Sequence, residues 1–308
     1  MLALVTGGAG FIGSNIVDRL VARGDSVRVL DDLTTGYREN VPAEAELVEA
    51  HVADAEAVER AMAGVEVVFH QAAHRSVFRS VEHPLETDTA NTHGTLTVLH
   101  AALRAGVRRV VYASSSSVYG GADVLPTTES VPTHPRSPYA VTKLAGELYG
   151  RVFAETYGLE TASLRYFNVF GPRQRPDSAY AAVIPLFIAA LREGTPPEIH
   201  GDGLQSRDFT FIEDVVGANL AAAAAPSEAC RGQAYNIAQG GRHSLMDLLD
   251  ILGRLLDARV EPHHVDPRPG DVRHSQADIT AATTALGWTP AVAFEDGLER
   301  TVAWFTAR

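Results

Sequence analysis

Tyr139 and Lys143 stand four residues apart in SPYAVTKLAGE, 126 residues after the end of the glycine-rich segment TGGAGFIG. On a helix that spacing puts both side chains on one face. An ammonium beside a phenol favours the phenolate, so Lys143 is expected to lower the tyrosine pKa from its reference near about 10. A phenolate held above a nicotinamide can take a proton from an alcohol while the same carbon loses hydride. The chemistry this pair suggests is carbonyl–alcohol redox chemistry.

The glycines point to the partner such a base needs. Gly7, Gly10 and Gly13 follow an apolar run and open a helical pattern. Glycine there allows a tight turn and lets the backbone approach a pyrophosphate at the positive end of the helix. Asp31 comes eighteen residues after Gly13, at the end of the next strand pattern. A carboxylate there accepts hydrogen bonds from the adenosine ribose and repels a 2′-phosphate, which favours NAD over NADP. Asp32 reads as a turn residue as much as a ligand.

The elements that must position these groups alternate. Strand patterns at Leu2–Thr6, Ser26–Asp31, Val65–His70, Val110–Ser114 and Thr161–Tyr166 are separated by helical patterns at Phe11–Arg23, Ala55–Met62, Asn91–Ala105 and Tyr139–Tyr157. This predicts an α/β fold, a Rossmann-type doubly wound parallel sheet. Composition shifts after Phe167, where GPRQRPD, EGTPPEIHGDG and PHHVDPRPGDVRHS form Pro/Gly-rich loops. The expected division is a nucleotide-binding domain over 1–167, rejoined near 208–240, and a smaller, loop-rich substrate lobe over 168–308.

Composition sets bounds. Of the 308 residues, 45% are apolar and 21% charged, as in ordinary globular proteins. A formal net charge of −12 argues against a nucleic-acid binder. A single cysteine, Cys230, excludes an internal disulfide framework. The twelve histidines, including His70, His74, His263 and His264, join no cysteine or carboxylate framework, so no metal site is expected. No signal peptide and no apolar run of membrane-spanning length is evident, and the chain reads as cytoplasmic.

With TGGAGFIG, DDLTTG, HQAA, NTHGT, ASSSSVYG, SPYAVTK, RYFNVFGPRQ, GDGLQSRDF and PGDVRHSQAD in order, nearly the whole chain resembles the extended short-chain dehydrogenases. Within them it is similar to the NAD-dependent nucleotide-sugar 4-epimerases of the UDP-galactose 4-epimerase type. The resemblance implies that Tyr139 is the base, that Lys143 holds the nicotinamide ribose and tunes the tyrosine, and that Ser115, with Ser116 as the neighbouring candidate, contacts the sugar hydroxyl. Hydride from C4 passes to tightly bound NAD, the 4-keto sugar turns about its diphosphate link, and return of hydride inverts C4. NAD contacts are implied for Gly7, Gly10, Phe11, Ile12, Gly13, Asp31, Asp32, Thr35, Gly36, His51, Val52, Gln71, Ala72, Ala73, Arg75, Asn91, Ser114 and Tyr166, besides Tyr139 and Lys143. His51, in EAHVAD, stands where the family has an Asp that bonds the adenine amino group.

By the same resemblance Asn168 and Arg207 reach the UDP phosphates, Arg268 reaches the phosphate or ribose, and the backbone near Val183 and His200 cradles uracil. Dehydratase and decarboxylase relatives carry acidic residues just before VYG; here Ser116 and Ser117 stand there and cannot serve as acids, which leaves epimerisation. Arg175 matches the arginine by which hexuronate-acting relatives can pair a C6 carboxylate. Ser275 stands where enzymes of smaller sugars have a bulky tyrosine. These residues favour UDP-glucuronate slightly over UDP-glucose/galactose, with UDP-N-acetylhexosamines next. A net-redox dehydrogenase on the same scaffold and a non-catalytic sensor of NAD or nucleotide sugar are the other classes considered. Relatives commonly pair through helices such as Asn91–Ala105 and Tyr139–Tyr157, so a homodimer is implied.

Overall fold

The computed structural model describes residues 1–121, 124–174, 182–267 and 272–307. In the first half, β1 (Leu2–Thr6), α1 (Phe11–Ala22), β2 (Ser26–Asp31), β3 (Glu46–Glu49), α2 (Ala55–Ala61) and β4 (Val67–His70) are followed by two short helices, α3 (Val77–Glu82) and α4 (Pro84–Asp88). Then come α5 (Gly94–Ala105), β5 (Arg109–Ser115), α6 (Pro138–Tyr157) and β6 (Glu160–Tyr166). The second half holds the short strands β7 (Val169–Phe170), β8 (Glu198–His200), β9 (Ser206–Arg207) and β10 (Thr210–Phe211), with α7 (Val183–Glu193) and α8 (Ile212–Ala224). It closes with β11 (Arg231–Ile237), β12 (His243–Ser244), α9 (Leu245–Leu256), β13 (His263–Val265), α10 (Thr280–Leu286) and α11 (Phe294–Thr306).

Seven strands make one parallel sheet in the order β11-β6-β5-β4-β1-β2-β3. Strand alternation sends side chains to two separate cores. Ala3, Val5, Phe69 and Val111 face the layer of α1 and α8, while Leu4, Val68 and Val110 face α2 and α5. The Rossmann-type sheet expected from the sequence is therefore present, with two strands beyond those predicted. β3 is a half-exposed edge strand whose ELVE lacks an apolar run, and β11 arrives from the 208–240 region to pair with β6.

Helix ends follow local chemistry. Ser137 caps α6 by accepting from the Ala140 N–H, Pro138 takes the first turn, and Gly158 ends the helix at φ 75°. The predicted helix Asn91–Ala105 begins differently: Thr89–His93 form a π turn that runs into α5. Arg109, 1% exposed at the start of β5, donates to the carbonyls of Ala222, Ala223 and Ala225. It thereby joins Arg108 and Cys230 in satisfying the carbonyls at the C-terminal end of α8. Glu160 pairs with the same guanidinium at 2.6 Å.

Candidate active site

The sheet order reverses between β1 and β4, and ligands of such sheets bind beyond the strand ends at that switch point. A cleft of about 1240 Å³ opens there. Its lining includes Gly7, Gly10, Phe11, Ile12, Gly13, Asp31, Asp32, Thr35, His51, Val52, Gln71, Ala72, Ala73, Arg75, Ser114 and Tyr166 from the first half. Ser115, Ser116, Tyr139, Lys143, Asn168, Val183, His200, Arg207 and Ser275 line the same cleft. Two residues named from the sequence do not. Arg175 and Arg268 are a third case, since both lie outside the described residues.

Gly36 is the first exception: a Cβ there would come 2.8 Å from Ala9, so its role is packing under the glycine turn. Asn91 is the second. It is 1% exposed, accepts from the His74 N–H at 2.8 Å, and donates to the His74 carbonyl and to Thr142 Oγ1. These three bonds tie the Gln71–His74 loop to α6.

The glycine turn fits a dinucleotide. Gly7 has φ 69°, and a Cβ on it would lie 2.7 Å from Ala72 N. A Cβ on Gly13 would lie 2.1 Å from the Gly7 carbonyl. Glycine is required at both for the strand end and the helix start to meet. The N-terminus of α1 has no side-chain cap, leaving its first N–H groups for an anion such as a diphosphate. Asp31 does more than the ribose role implied for it. Its oxygens accept from the N–H groups of Ala9 and Leu33, both at 2.9 Å, so it braces the turn. Burial pushes its pKa up against those donors. Asp32 closes its own turn by accepting from Thr34, and His51 Nδ1 accepts from the Ala53 N–H at 3.1 Å.

At the reacting end, Ser115 and Tyr139 line the same cleft, and the serine side chain lies close enough to favour the ionised phenol. Lys143 Nζ donates to the Ala113 carbonyl at 2.7 Å and lies 5.9 Å from the centre of the Tyr139 ring. The expected depression of the tyrosine by its lysine is not what this arrangement gives. Burial raises the Tyr139 pKa, opposed by the Ser115 side chain and the positive charge of Arg75. Burial also pushes Lys143 down to about 7, because its ammonium is out of water with one carbonyl as partner. Arg75, named from the sequence as a cofactor contact, thus also lies near enough to act on the phenol.

Below this group His70 is fully buried between Thr6 Oγ1 at 2.7 Å and Thr95 Oγ1 at 2.9 Å, and burial pushes it down to about 3. It is a neutral core residue. Among the described residues no cluster of three or more His, Cys, Asp or Glu could hold a metal, and no helix is long and apolar enough to cross a membrane.

On the second-half side, Asn168 has φ 29° and donates to the Asp208 carbonyl at 3.0 Å. Asp208, fully buried, accepts from the N–H groups of Gln239, Gly240 and Ala277, tying three loops beside Ser275. Arg207 Nη1 donates to the Ser206 carbonyl at 3.0 Å. The sequence reading missed Arg173, which lines the cleft while pairing with Asp18 of α1 at 2.7 Å. It also missed Glu147, although the latter continues the four-residue spacing of Tyr139 and Lys143.

Residues 3–238 match the model of the NAD dependent epimerase/dehydratase family. The chain is 41% identical over 317 residues to a UDP-glucose 4-epimerase of Mycolicibacterium smegmatis, covering 99% of this chain and 98% of that protein. It is similar to the crystal structure of a UDP-glucose 4-epimerase from Thermotoga maritima with UDP-glucose, at TM-score 0.95 and 38% identity over 100% of this chain and 99% of that one. A UDP-N-acetylglucosamine 4-epimerase from Methanobrevibacter ruminantium, in complex with UDP-N-acetylmuramic acid, gives TM-score 0.94 and 38% identity over 99% and 98%. By sequence and by fold, the chain belongs to the NAD-dependent epimerase/dehydratase family.

Proposed function

We propose that this chain inverts C4 of a UDP-sugar through a 4-keto intermediate, with NAD retained through the cycle. The observation that carries this reading is the Ser115–Tyr139–Lys143 group within one continuous cleft that the glycine turn, Arg207, Val183 and His200 also line. Bound NAD supplies the acceptor and donor for the hydrogen at C4. Tyr139 takes the O4 proton and returns it from the same place, while Ser115 orients the hydroxyl. Lys143 keeps a donor beside the phenol. Asn168 and Arg207 hold the diphosphate, so that affinity resides in UDP and the sugar can turn. Ser116 and Ser117 supply no acid toward C5 and C6, which supports epimerisation over elimination.

For the sugar, the UDP-glucose 4-epimerases among the relatives support the UDP-glucose/UDP-galactose pair. A second reading, UDP-glucuronate, draws on Arg175 and on Arg75, a cleft-lining cation close to Tyr139. N-acetylated UDP-hexosamines are the third candidate, supported by small Ser275 and by the Methanobrevibacter relative. The test is a competition among UDP-glucose, UDP-glucuronate and UDP-N-acetylglucosamine at equal concentration, without added NAD, with products resolved by chromatography. Preferential galactose epimer supports the first reading and galacturonate the second. Product only with net NADH release would overturn epimerisation in favour of dehydrogenation.

We also infer a homodimer. Val141, Leu148 and Val152 are exposed on α6 at spacings of seven and four, the pattern of a helix–helix seam. Light scattering should give twice the chain mass, falling to monomer in Leu148→Glu/Val152→Glu; a wild-type monomer would remove the inference.

A further inference from the structure

Behind the reacting residues runs a buried polar chain that none of the contacts above requires. Helix α6 presents Tyr139, Lys143 and Glu147 at four-residue intervals, and all three are buried. Three consecutive residues at the end of β5 meet them one for one. The Ala113 carbonyl accepts from Lys143, Ser114 Oγ donates to Glu147 Oε1, and Ser115 lies close enough to act on Tyr139.

Glu147 is only 4% exposed. Its two oxygens accept from Nε and Nη2 of Arg165 on β6, at 2.9 and 2.7 Å. Arg165 Nη1 donates to the Tyr119 hydroxyl at 2.8 Å, and that hydroxyl donates to Asn236 Oδ1 at 2.7 Å. Asn236, on β11, donates onward to the carbonyls of Thr127 and Asp278. The chain therefore spans from the helix of the base, across the sheet, to Thr127, which lines the cleft.

A buried ion pair is weak as a source of stability, since apolar residues of similar volume replace such pairs at little cost. What this pair supplies is direction. Ser114 sits between Ala113 and Ser115, and its bond to Glu147 adds a side-chain tie from α6 to a strand end already in register with β6. A shift of about 1 Å in such an arrangement is worth about a hundredfold in rate.

We propose that Glu147 is a positioning residue of the reaction, holding the Ala113–Ser115 end of β5 in register with Tyr139 and Lys143 through Ser114, with Arg165 and Tyr119 fixing its own carboxylate. The proposal rests on the epimerase reading only for its rate measurement.

The test uses the full chain in two variants. Glu147→Leu/Arg165→Met removes both charges together and so avoids an unpaired buried charge. Ser114→Ala cuts the single bond to the strand. Each is measured for kcat and KM without added NAD, for thermal midpoint, and for Tyr139 ionisation by ultraviolet difference titration against the same background carrying Tyr139→Phe. In both variants kcat should fall by about ten- to a hundredfold with KM within about twofold. The phenol should titrate at higher pH, because the Ser115 side chain that favours its ionised form is no longer held beside it. Folded variants with unchanged kcat and unchanged Tyr139 titration would overturn the proposal. If wild type turns over no UDP-sugar, the epimerase reading fails, while the titration still decides the role of Glu147.

Discussion

Lys143 Nζ lies 5.9 Å from the ring centre of Tyr139 and gives its hydrogen bond to the carbonyl of Ala113. The lysine is placed beside the phenol, anchored to the strand. With Lys143 pushed down to about 7 and Tyr139 pushed up, both are uncharged over a window starting near neutral pH. If Tyr139 is the base, its ionisation draws on Ser115 and Arg75, the two groups that favour the phenolate here.

Tyr139→Phe removes the proton acceptor and keeps the ring. Turnover should fall by about a thousandfold or more, with NAD and UDP-sugar affinities retained in calorimetric titrations. Activity within about tenfold of wild type would take the base role from Tyr139.

Lys143 makes stability depend on pH in a defined sense. Below about 7 the native state carries its buried charge; above it the native lysine releases its proton while the unfolded one keeps it up to 10.5. In that window the unfolded state binds more protons, so this group's contribution to stability rises with pH. Lys143→Met should raise the thermal midpoint most below about 7, and its advantage should shrink toward 10.5. An advantage that stays constant with pH would mean a normal lysine.

His51→Asp retains an acceptor for the Ala53 N–H and adds a second oxygen that an adenine amino group can use. More NAD should co-purify with the variant than with wild type. Equal retention would show that adenine is not held from this position.

Arg109→Met removes a buried donor from the carbonyls of Ala222, Ala223 and Ala225 at the end of α8, and from Glu160 the guanidinium that gives one of its oxygens two hydrogen bonds. The loss should be about 3 kcal/mol or more, read as a lowered urea midpoint. An unchanged midpoint would mean that water replaces the guanidinium.

Much of the nucleotide half was legible because its strands are continuous apolar runs punctuated by glycine. The helix carrying Tyr139 and Lys143 announces itself by Ser-Pro at its start and Gly158 at its end. What was hidden depends on contacts distant in sequence. Asn91 reads as the first residue of a helix and a cofactor contact, while the structure puts it in a π turn with its side chain bonded to His74 and Thr142. Asp31 reads as a ribose ligand, yet its oxygens already hold two backbone N–H groups. Nothing local to RGQAYNI says that it will be the neighbour of β6. Glu147 could have been found by extending the four-residue spacing one step further, but its partner Arg165 could not.

The place of β11 bears on how the chain matures. During synthesis the first six strands emerge in order, yet β6 waits as an open edge until residue 237 is free, after α7 and α8 have already appeared. An unpaired, buried-type strand is a hazard for aggregation. The segment from β7 to α8 is therefore an insertion between two neighbouring strands, and the sheet is complete only when its last strand returns beside β6.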